Sequence, residues 1–222
     1  MNDTWTQQKI ARVIDDTEVK PDATRERMVE FCETAAEYGF GSVCIMPVWT
    51  ELAADILRGT STAVSPLVGM FGQTPLTQSV AIRDAIARGA QELDVFIALH
   101  ALLSEEWDRL RHSLSSVAQA ADGRPVKLIL ETGKLTRDQV VRACELCVET
   151  GISCVKTSTG MFSRGATVED IELMRETVGD RIQVKASGGI RTYEQAVTML
   201  EAGADRIGTS TGVQIVDGAP EG

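Results

Sequence analysis

The stretch from Ser153 to Arg191 contains a complete strand–helix–strand unit, and this unit decides the fold. It reads Ser153-Cys-Val-Lys156, then an amphipathic run that starts near Thr167, then Ile182-Gln-Val-Lys185. Gly179 follows the amphipathic run, where a helix C-terminal cap is expected. Two short apolar strands joined by a capped helix are typical of a parallel βαβ unit.

The same unit repeats along the rest of the chain. Eight short apolar runs are predicted as strands: Arg12–Asp16, Ser42–Met46, Thr62–Val68, Glu92–Ile97, Val126–Leu130, Ser153–Lys156, Ile182–Lys185 and Arg206–Gly208. Helical patterns fill the gaps near 24–38, 50–58, 77–88, 104–120, 136–149, 167–177 and 192–202, with a short one after Ser210. Capping boxes are predicted for Thr136 with Gln139, Thr167 with Asp170, and Thr192 with Gln195. Glycine caps are predicted at Gly39, Gly89, Gly151, Gly179 and Gly203.

Eight strand–helix repeats without a linker predict an α/β fold, the closed (β/α)8 barrel. At 222 residues the chain suits one such barrel, so residues 1–222 are expected to form a single domain. Flexible ends are expected near residues 1–9 and 216–222. An open doubly wound sheet is the main alternative, although eight strands leave no residues for a separate domain.

Composition excludes several classes of function. A net charge of −10 argues against nucleic acid, because sequence-independent binding needs clustered Lys and Arg. A local pocket can still be positive inside an acidic surface, so an anionic substrate is allowed. The chain has no apolar run long enough for a membrane span and no signal core near its start. Its five cysteines form no disulfide framework, so we expect buried free thiols and a cytoplasmic protein.

Lysine is the informative residue type in this chain. Only six of the 22 basic side chains are lysines, and two of them, Lys156 and Lys185, end predicted strands. A buried lysine can lose its proton and act as a nucleophile, whereas arginine stays charged. A reactive amine beside a second cation indicates carbonyl chemistry through a Schiff base. An alternative is an internal salt bridge to Asp94, but burying three charges often costs more free energy than their attraction returns.

Strand alternation predicts that these groups meet at one end of the barrel. Every second residue of a barrel strand points inward, and Asp94 lies between apolar neighbours that would face the helices. The active site of such barrels lies at the C-terminal strand ends. The residues found at these ends are Asp15, Thr17, Cys44, Asp94, Glu131, Lys156, Lys185, Ser210 and Thr211.

A second group of motifs is rich in glycine and hydroxyls. Thr159-Gly160, Gly188-Gly189 and Gly208-Thr-Ser-Thr-Gly212 end three successive strands. Exposed backbone N–H groups in such turns can bind an anion, and many barrels hold a substrate phosphate there. The alternative is that the glycines only make tight turns.

These motifs together resemble the deoxyribose-phosphate aldolase family. The resemblance rests on Cys154-Val-Lys-Thr-Ser-Thr-Gly160, Val184-Lys-Ala-Ser-Gly-Gly-Ile-Arg191, Gly208-Thr-Ser-Thr-Gly212, Ile14-Asp-Asp-Thr17, Val43-Cys-Ile45, Glu92-Leu-Asp-Val95, Leu128-Ile-Leu-Glu-Thr-Gly133, Gly165-Ala-Thr-Val-Glu-Asp170 and Leu173-Met-Arg-Glu-Thr-Val-Gly179. It extends from about Ile14 to Gly212. It implies a metal-independent class I aldolase that uses no cofactor and interconverts 2-deoxy-D-ribose 5-phosphate with acetaldehyde and glyceraldehyde 3-phosphate.

The resemblance also implies roles for individual residues. Lys156 would form the Schiff base, Lys185 would keep Lys156 unprotonated, and Asp94 would relay protons with an ordered water. The phosphate would bind at Gly160, Gly188, Gly189, Ser210 and Thr211. Asp15, Thr17 and Thr159 would support the substrate hydroxyls and the lysines.

Several positions depart from the usual family pattern, and all are expected at the barrel mouth. They are Asp16, Met46, Gly69–Gln73, Ala98, His100, Met161 and Thr211. These departures leave open a related aldolase with another phosphorylated sugar or donor. A non-catalytic sugar-phosphate-binding barrel is a more remote alternative. Barrels of this kind often self-associate, which allows a homo-oligomer, although no interface stripe stands out.

Overall fold

Eight parallel strands close into a barrel in sequence order, β1 to β8, with β8 pairing back to β1. The computed structural model describes residues 4–70 and 72–221. The strands are β1 Ile14–Glu18, β2 Ser42–Ile45, β3 Ala63–Val68, β4 Leu93–Phe96, β5 Val126–Ile129, β6 Cys154–Lys156, β7 Gln183–Ser187 and β8 Arg206–Thr209. The predicted (β/α)8 fold is confirmed, and the open sheet is excluded by the β1–β8 pairing.

Helices surround the barrel and return the chain from each strand end to the next strand start. They are α1 Gln7–Val13, α2 Arg25–Tyr38, α3 Thr50–Ile56, α4 Pro75–Ala87, α5 Leu99–Leu103, α6 Trp107–Ala121, α7 Arg137–Thr150, α8 Val168–Val178, α9 Tyr193–Glu201 and α10 Gly212–Asp217. Short 3₁₀ turns at Pro47–Trp49 and Thr132–Lys134 follow β2 and β5. Every strand therefore presents its C-terminal end at the same rim of the barrel.

Local sequence signals explain most helix boundaries. The capping boxes at Thr136 and Thr192 are both formed, with the Gln side chain bonded back to the cap N–H. At Thr167 only half of the predicted box exists. Its hydroxyl accepts the Asp170 N–H, but the Asp170 carboxylate binds Thr132 and Arg164 instead. The third prediction was wrong because a tertiary ion pair competes for the carboxylate.

Apolar side chains divide into two clusters separated by the barrel wall. The larger cluster lies between strands and helices and includes Val95, Val155 and Val184 from the outer faces of their strands. A small inner cluster consists of Cys44, Leu67, Phe96 and Ile129, with Val19 packed against it. Since burial of apolar area is the main stabilising term, the outer layer holds the fold together. The interior can then carry polar groups.

The two ends of the described chain contact each other. Gln7 N–H donates to Pro220 O at 3.1 Å, and the Gln7 side chain reaches Ala219 O at 3.3 Å. The expectation of flexible ends near residues 1–9 and 216–222 stays a prediction, and residues 1–3 and 222 of these ranges lie outside the described residues. Within the described chain, no helix combines the length and apolar character needed to cross a membrane.

Candidate active site

Two lysines from neighbouring strands converge on one carboxylate inside the barrel. Lys156, the last residue of β6, places its Nζ 2.6 Å from Asp94 Oδ2. Lys185 on β7 places its Nζ 2.8 Å from the same oxygen and 2.6 Å from Asp15 Oδ2. Lys185 is fully buried, and Lys156 keeps 4% exposure. The structure thus brings together Lys156, Lys185, Asp94 and Asp15 as the alternation of inward positions predicted.

A further layer of charge lies below these groups, toward the N-terminal strand ends. Lys127 on β5 contacts Asp15 Oδ2 at 2.9 Å, Glu92 Oε2 at 2.7 Å and Asp94 Oδ1 at 3.3 Å. Arg206 at the start of β8 binds Asp15 through Nε at 3.0 Å. Sequence reasoning missed Lys127, Arg206 and Glu92 because it searched only the C-terminal strand ends. The inward parity of Lys127, two residues before Ile129, was the signal that could have found it.

Serines complete the coordination of this charge network. Ser65 Oγ donates to Asp94 Oδ1 at 2.9 Å. Lys127 Nζ donates to Ser42 Oγ at 3.2 Å and to Ser65 Oγ at 3.1 Å. Hydrogen bonds of this kind satisfy the remaining lone pairs of a buried ion pair, without which its desolvation would be strongly unfavourable.

The cations determine the charge state of the two aspartates. Burial acts to raise the pKa of Asp94, but Lys156, Lys185 and Lys127 outweigh it and hold the pKa well below its usual range. Burial likewise opposes ionisation of Asp15, and Lys127, Lys185 and Arg206 again drive its pKa far down. Both carboxylates are therefore ionised in the folded protein.

The carboxylates act on the lysines in the opposite direction. Burial works to lower the pKa of Lys156, but the adjacent Asp94 carboxylate outweighs it, so the pKa of Lys156 is raised. Lys127 is a cation that acts to lower it. The contact with Asp94 thus favours the ammonium form of Lys156 here, and the expectation that Lys185 keeps Lys156 unprotonated stays a prediction. The sequence could not reveal this 2.6 Å contact.

One side of the barrel mouth is apolar. Phe96 and Ile129 end β4 and β5, and Leu67 is the penultimate residue of β3. Together with Cys44 they form the inner apolar cluster. Ile129 pairs with Lys156 across the β5–β6 ladder. Burial raises the pKa of the Cys44 thiol, and Asp94 adds to this effect, so Cys44 belongs to the wall as a neutral group. The predicted strand-end residue Cys44 thus contributes packing here.

The other side of the mouth is a cavity of about 440 Å³ with four glycines in its lining. Its lining contains the predicted residues Thr17, Thr159, Gly160, Gly188, Gly189 and Ser210. Gly160, Gly188 and Gly189 all have positive φ, at 74°, 96° and 81°. Their backbone N–H groups find no acceptor among the described residues. Successive N–H groups in such turns form a concave site that suits an anion.

Two predicted hydroxyls are engaged elsewhere. Thr159 Oγ1 donates to Glu131 Oε2 at 2.9 Å and accepts the Met161 N–H at 3.0 Å. Thr211 Oγ1 lies 3.0 Å from Thr209 Oγ1 and 3.4 Å from Arg191 O. In the described structure Thr209, and not Thr211, lines the cavity. The predicted contact of Thr159 with substrate hydroxyls is not supported by this geometry.

The positions that depart from the family pattern fall in different places. Met161 lines the cavity and is 52% exposed. Met46 precedes the 3₁₀ turn after β2, and Ala98 precedes α5. Within Gly69–Gln73, Gly69 packs against Gln78, and Phe71 lies outside the described residues. His100 is exposed on α5. Met161 is therefore the departure with a direct contact to the cavity.

A (β/α)8 barrel with a buried lysine–carboxylate pair at its C-terminal rim defines the class of lysine-dependent barrel enzymes. The DeoC/LacD family aldolase model matches residues 10–218, and the chain belongs to this family. A deoxyribose-phosphate aldolase of Thermococcus kodakarensis is 47% identical, covering 96% of this chain and 98% of the relative. One of Listeria welshimeri is 46% identical, covering 94% and 95%.

The solved structures agree with the sequence relatives. A deoxyribose phosphate aldolase from Aeropyrum pernix, described as tetrameric, superposes with a TM-score of 0.89 at 28% identity. The alignment covers 96% of this chain and 91% of that one. The family predicted from the sequence motifs is thereby confirmed.

Proposed function

We propose that this aldolase cleaves 2-deoxy-D-ribose 5-phosphate reversibly to glyceraldehyde 3-phosphate and acetaldehyde through a Schiff base on Lys156. The observation that carries the proposal is the position of the Lys156 amine. It contacts Asp94 at 2.6 Å at the end of β6, which pairs with Ile129 of the apolar wall and leads into the cavity-lining residues Thr159 and Gly160. A sugar phosphate without a hydroxyl at C2 fits this arrangement. Its C1–C2 end would lie against the apolar wall, and its phosphate would lie in the cavity.

The charge balance inside the barrel supports an amine that gives up its proton. The described interior network holds four cationic side chains and three carboxylates: Lys127, Lys156, Lys185, Arg206, Asp15, Glu92 and Asp94. One positive charge is therefore in excess. Loss of one lysine proton leaves the network balanced, which offsets the attraction of Asp94 for the ammonium form.

Lys156 is the lysine proposed to become neutral, because it keeps some exposure while Lys185 lies between two carboxylates. The neutral amine attacks the open-chain C1 aldehyde, and the carbinolamine loses water to give a protonated imine. The imine accepts the electrons of the breaking C2–C3 bond, the C3 hydroxyl loses its proton and becomes the new aldehyde, and glyceraldehyde 3-phosphate leaves. Protonation and hydrolysis of the enamine release acetaldehyde. Asp94 is proposed to carry protons in these steps, supported by its contact with Lys156.

The apolar wall favours acetaldehyde as the donor. Leu67, Phe96 and Ile129 offer no hydrogen-bonding side chain on the side of the mouth next to the Lys156 strand. A donor with a hydroxymethyl group would lose hydrogen bonds to water there, which costs about 1–3 kcal/mol. Acetaldehyde carries only a methyl group at that position. This argues against the alternative of a hydroxylated ketone donor.

The glycine cavity is proposed as the phosphate site. Gly160, Gly188, Gly189 and Ser210 line it, and their backbone N–H groups can bind phosphate oxygens without side-chain reorganisation. Three cations, Arg27, Lys20 and Arg191, line this cavity against one carboxylate, Glu18, so its local charge differs in sign from the net charge of −10. Thr17 is kept as a residue that contacts the sugar. Thr211 is proposed to act indirectly, through its contact with Thr209.

We also propose an assembly state and a cellular location for this protein. A homo-oligomer is proposed because a relative is described as tetrameric. A cytoplasmic location is proposed because all five cysteines are free and buried, as expected in a reducing compartment. We also keep the proposal that residues 1–222 form one domain.

Borohydride trapping tests the chemistry directly. With acetaldehyde present, reduction should add the mass of one ethyl group, and peptide mapping should place it on Lys156. Lys156→Arg should give no adduct and no cleavage of the sugar phosphate at any pH, because a guanidinium cannot form the imine. Lys134→Arg, at an exposed lysine, is the matched control and should behave as wild type. An adduct on another lysine would refute the assignment.

A panel of donors separates acetaldehyde from the alternatives. Acetaldehyde, acetone and dihydroxyacetone phosphate should be compared with one acceptor aldehyde. We expect the highest turnover with acetaldehyde. Faster turnover with dihydroxyacetone phosphate would contradict the argument from the apolar wall, and the complete absence of turnover and trapping would favour a binding protein.

A further inference from the structure

Glu131 is a buried carboxylate that the proposed chemistry does not use. It follows β5, is fully buried, and has left-handed backbone angles of φ 61° and ψ 55°. Such a conformation is unfavourable for a residue with a side chain. No ion pair with Glu131 occurs within residues 4–70 and 72–221, whereas Asp15 and Asp94 each contact several cations. A buried acidic side chain on a strained backbone indicates that its hydrogen bonds serve a purpose in the fold or the site.

The Glu131 carboxylate holds both ends of one turn. Its Oε2 accepts the Thr159 N–H at 3.1 Å and the Thr159 hydroxyl at 2.9 Å. Its Oε1 accepts the Ser163 hydroxyl at 2.5 Å. The turn between these contacts contains Gly160, which lines the cavity and whose N–H has no acceptor among the described residues. Three donors on one carboxylate therefore fix the start and the end of the turn that follows the Lys156 strand.

The same turn is packed against the next strand end. Ala166 N–H donates to Gly188 O at 3.1 Å. A Cβ added at Gly188 would lie 2.9 Å from Gly165 Cα and 3.3 Å from Gly160 Cα. These glycines fit together only when the turn keeps its present path. A shift of Thr159 or Ser163 would therefore move the N–H groups of both Gly160 and Gly188.

We propose that Glu131 is a positioning residue for phosphate recognition, acting by holding the Thr159–Ser163 turn so that the Gly160 and Gly188 N–H groups converge. This inference rests on the proposed function, since it assumes that the cavity takes the substrate phosphate. Fixing the Thr159 peptide orients the Gly160 N–H that follows it. Glu131 has no contact with Lys156 or Asp94 among the described hydrogen bonds, so it should act on phosphate binding and not on imine formation.

Two substitutions separate the carboxylate from the backbone conformation. Glu131→Gly removes the carboxylate and eases the left-handed backbone, so loss of fold through strain is avoided. Glu131→Gln keeps the shape and one acceptor oxygen and should rescue part of the function. Ser163→Ala, at a half-buried residue, removes the Oε1 contact together with a 3.3 Å hydrogen bond to Arg164 O. Glu176→Gln, at an exposed glutamate, is the matched control.

The measurements compare phosphorylated and unphosphorylated substrates in the full-length protein. For Glu131→Gly we expect the KM for 2-deoxyribose 5-phosphate and the inhibition constant of inorganic phosphate to rise about tenfold or more, the effect of losing a charge-assisted hydrogen bond. The effects of Glu131→Gln and Ser163→Ala should be smaller. Two measurements should stay within about twofold of wild type: the rate of borohydride trapping with acetaldehyde, and kcat/KM for unphosphorylated 2-deoxyribose. Loss of a hydrogen bond to the reacting groups would change these rates by more than that.

The outcomes distinguish this inference from the function on which it rests. If the wild type prefers the phosphorylated sugar but Glu131→Gly keeps that preference, the positioning role is refuted. An equal loss for both sugars would assign Glu131 a structural role only. A wild type that traps acetaldehyde but shows no preference for the phosphorylated sugar overturns the phosphate site and the inference together.

Discussion

Asp15 and Asp16 are neighbours on β1 and carry the same carboxylate, but they face opposite sides of the barrel wall. Asp15 points inward, where Lys185 lies at 2.6 Å and Lys127 at 2.9 Å. Asp16 points outward and accepts the Gly212 N–H at 3.2 Å. Both are buried, at 0% and 6% exposure, so depth alone does not distinguish them.

The charge of each side chain follows from its partners. Burial acts to raise both pKa values, and the cations around Asp15 reverse this effect and hold its pKa far below the ordinary range. At Asp16 burial dominates over the Gly212 and Thr17 backbone hydrogen bonds and over Arg27, and the pKa rises to about 6. The comparison shows that, for these two buried carboxylates, contacts with lysine and arginine decide whether the pKa is lowered or raised.

Removing the interior carboxylate should have the largest effect on stability. Asp15→Asn removes a carboxylate that Lys127, Lys185 and Arg206 all contact. The substitution should lower the free energy of unfolding by about 3–5 kcal/mol. The depressed pKa means that this contribution is present above the ordinary pKa and is lost only in strong acid. The loss should therefore be equal at pH 5 and pH 8 in urea titrations. Asp22→Asn, in the exposed loop after β1, is the control and should change little.

Removing the outer carboxylate should have the opposite sign and depend on pH. A folded pKa of about 6 against an ordinary 3.8 means that ionised Asp16 lowers stability as pH rises through this interval. Since one pKa unit corresponds to about 1.4 kcal/mol, this pKa difference corresponds to about 3 kcal/mol of unfolding free energy. Asp16→Asn should raise the free energy of unfolding at pH 8 by up to this amount, with no gain near pH 4. A gain of equal size at both values would contradict the assignment.

Glu92 tests an intermediate case and should show the smallest effect. It contacts Lys127 at 2.7 Å and Arg206 at 3.6 Å, but its side chain is 17% exposed. Because water screens it and Asp15 still balances its partners, Glu92→Gln should cost about 1 kcal/mol of unfolding free energy. Glu51→Gln breaks an exposed pair with Arg88 at the same 3.6 Å and should cost less than about 0.5 kcal/mol. A loss at Glu92 as large as that at Asp15 would show that exposure does not matter here.

The sequence predicted the barrel well because its signals are local and repeated. Strands such as β2 and β5 begin at the predicted residue and end one residue early, since apolar runs mark them directly. The helix Gln7–Val13 was missed because its start is polar and carries no side-chain cap bond. The helix predicted over 104–120 begins at Trp107 instead, because Glu105 adopts a left-handed conformation with φ 55° between α5 and α6.

The site was predicted less completely, for a physical reason. Lys156, Lys185 and Asp94 end or centre short strands in recognisable motifs, so parity and position were sufficient to bring them together. Lys127 lies inside the apolar run Val126–Ile129, where sequence gives no sign of a partner. Its contacts come from β1 and β4, which are distant in the chain. The raised pKa of Lys156 depends on a contact distance, which no pattern encodes.

Divergence toward new substrates would meet a barrier where Gly165 and Gly188 touch. A Cβ added at Gly188 would lie 2.9 Å from Gly165 Cα, and one at Gly165 would collide with Gly188 O. A substitution at either glycine alone would produce a steric clash with the other. Single substitutions at these two positions should therefore not persist during evolution. Met161 lines the same cavity with a half-exposed side chain and has no such restriction. Natural variation and laboratory selection should therefore alter preference through rim side chains such as Met161 and leave the glycine turns unchanged.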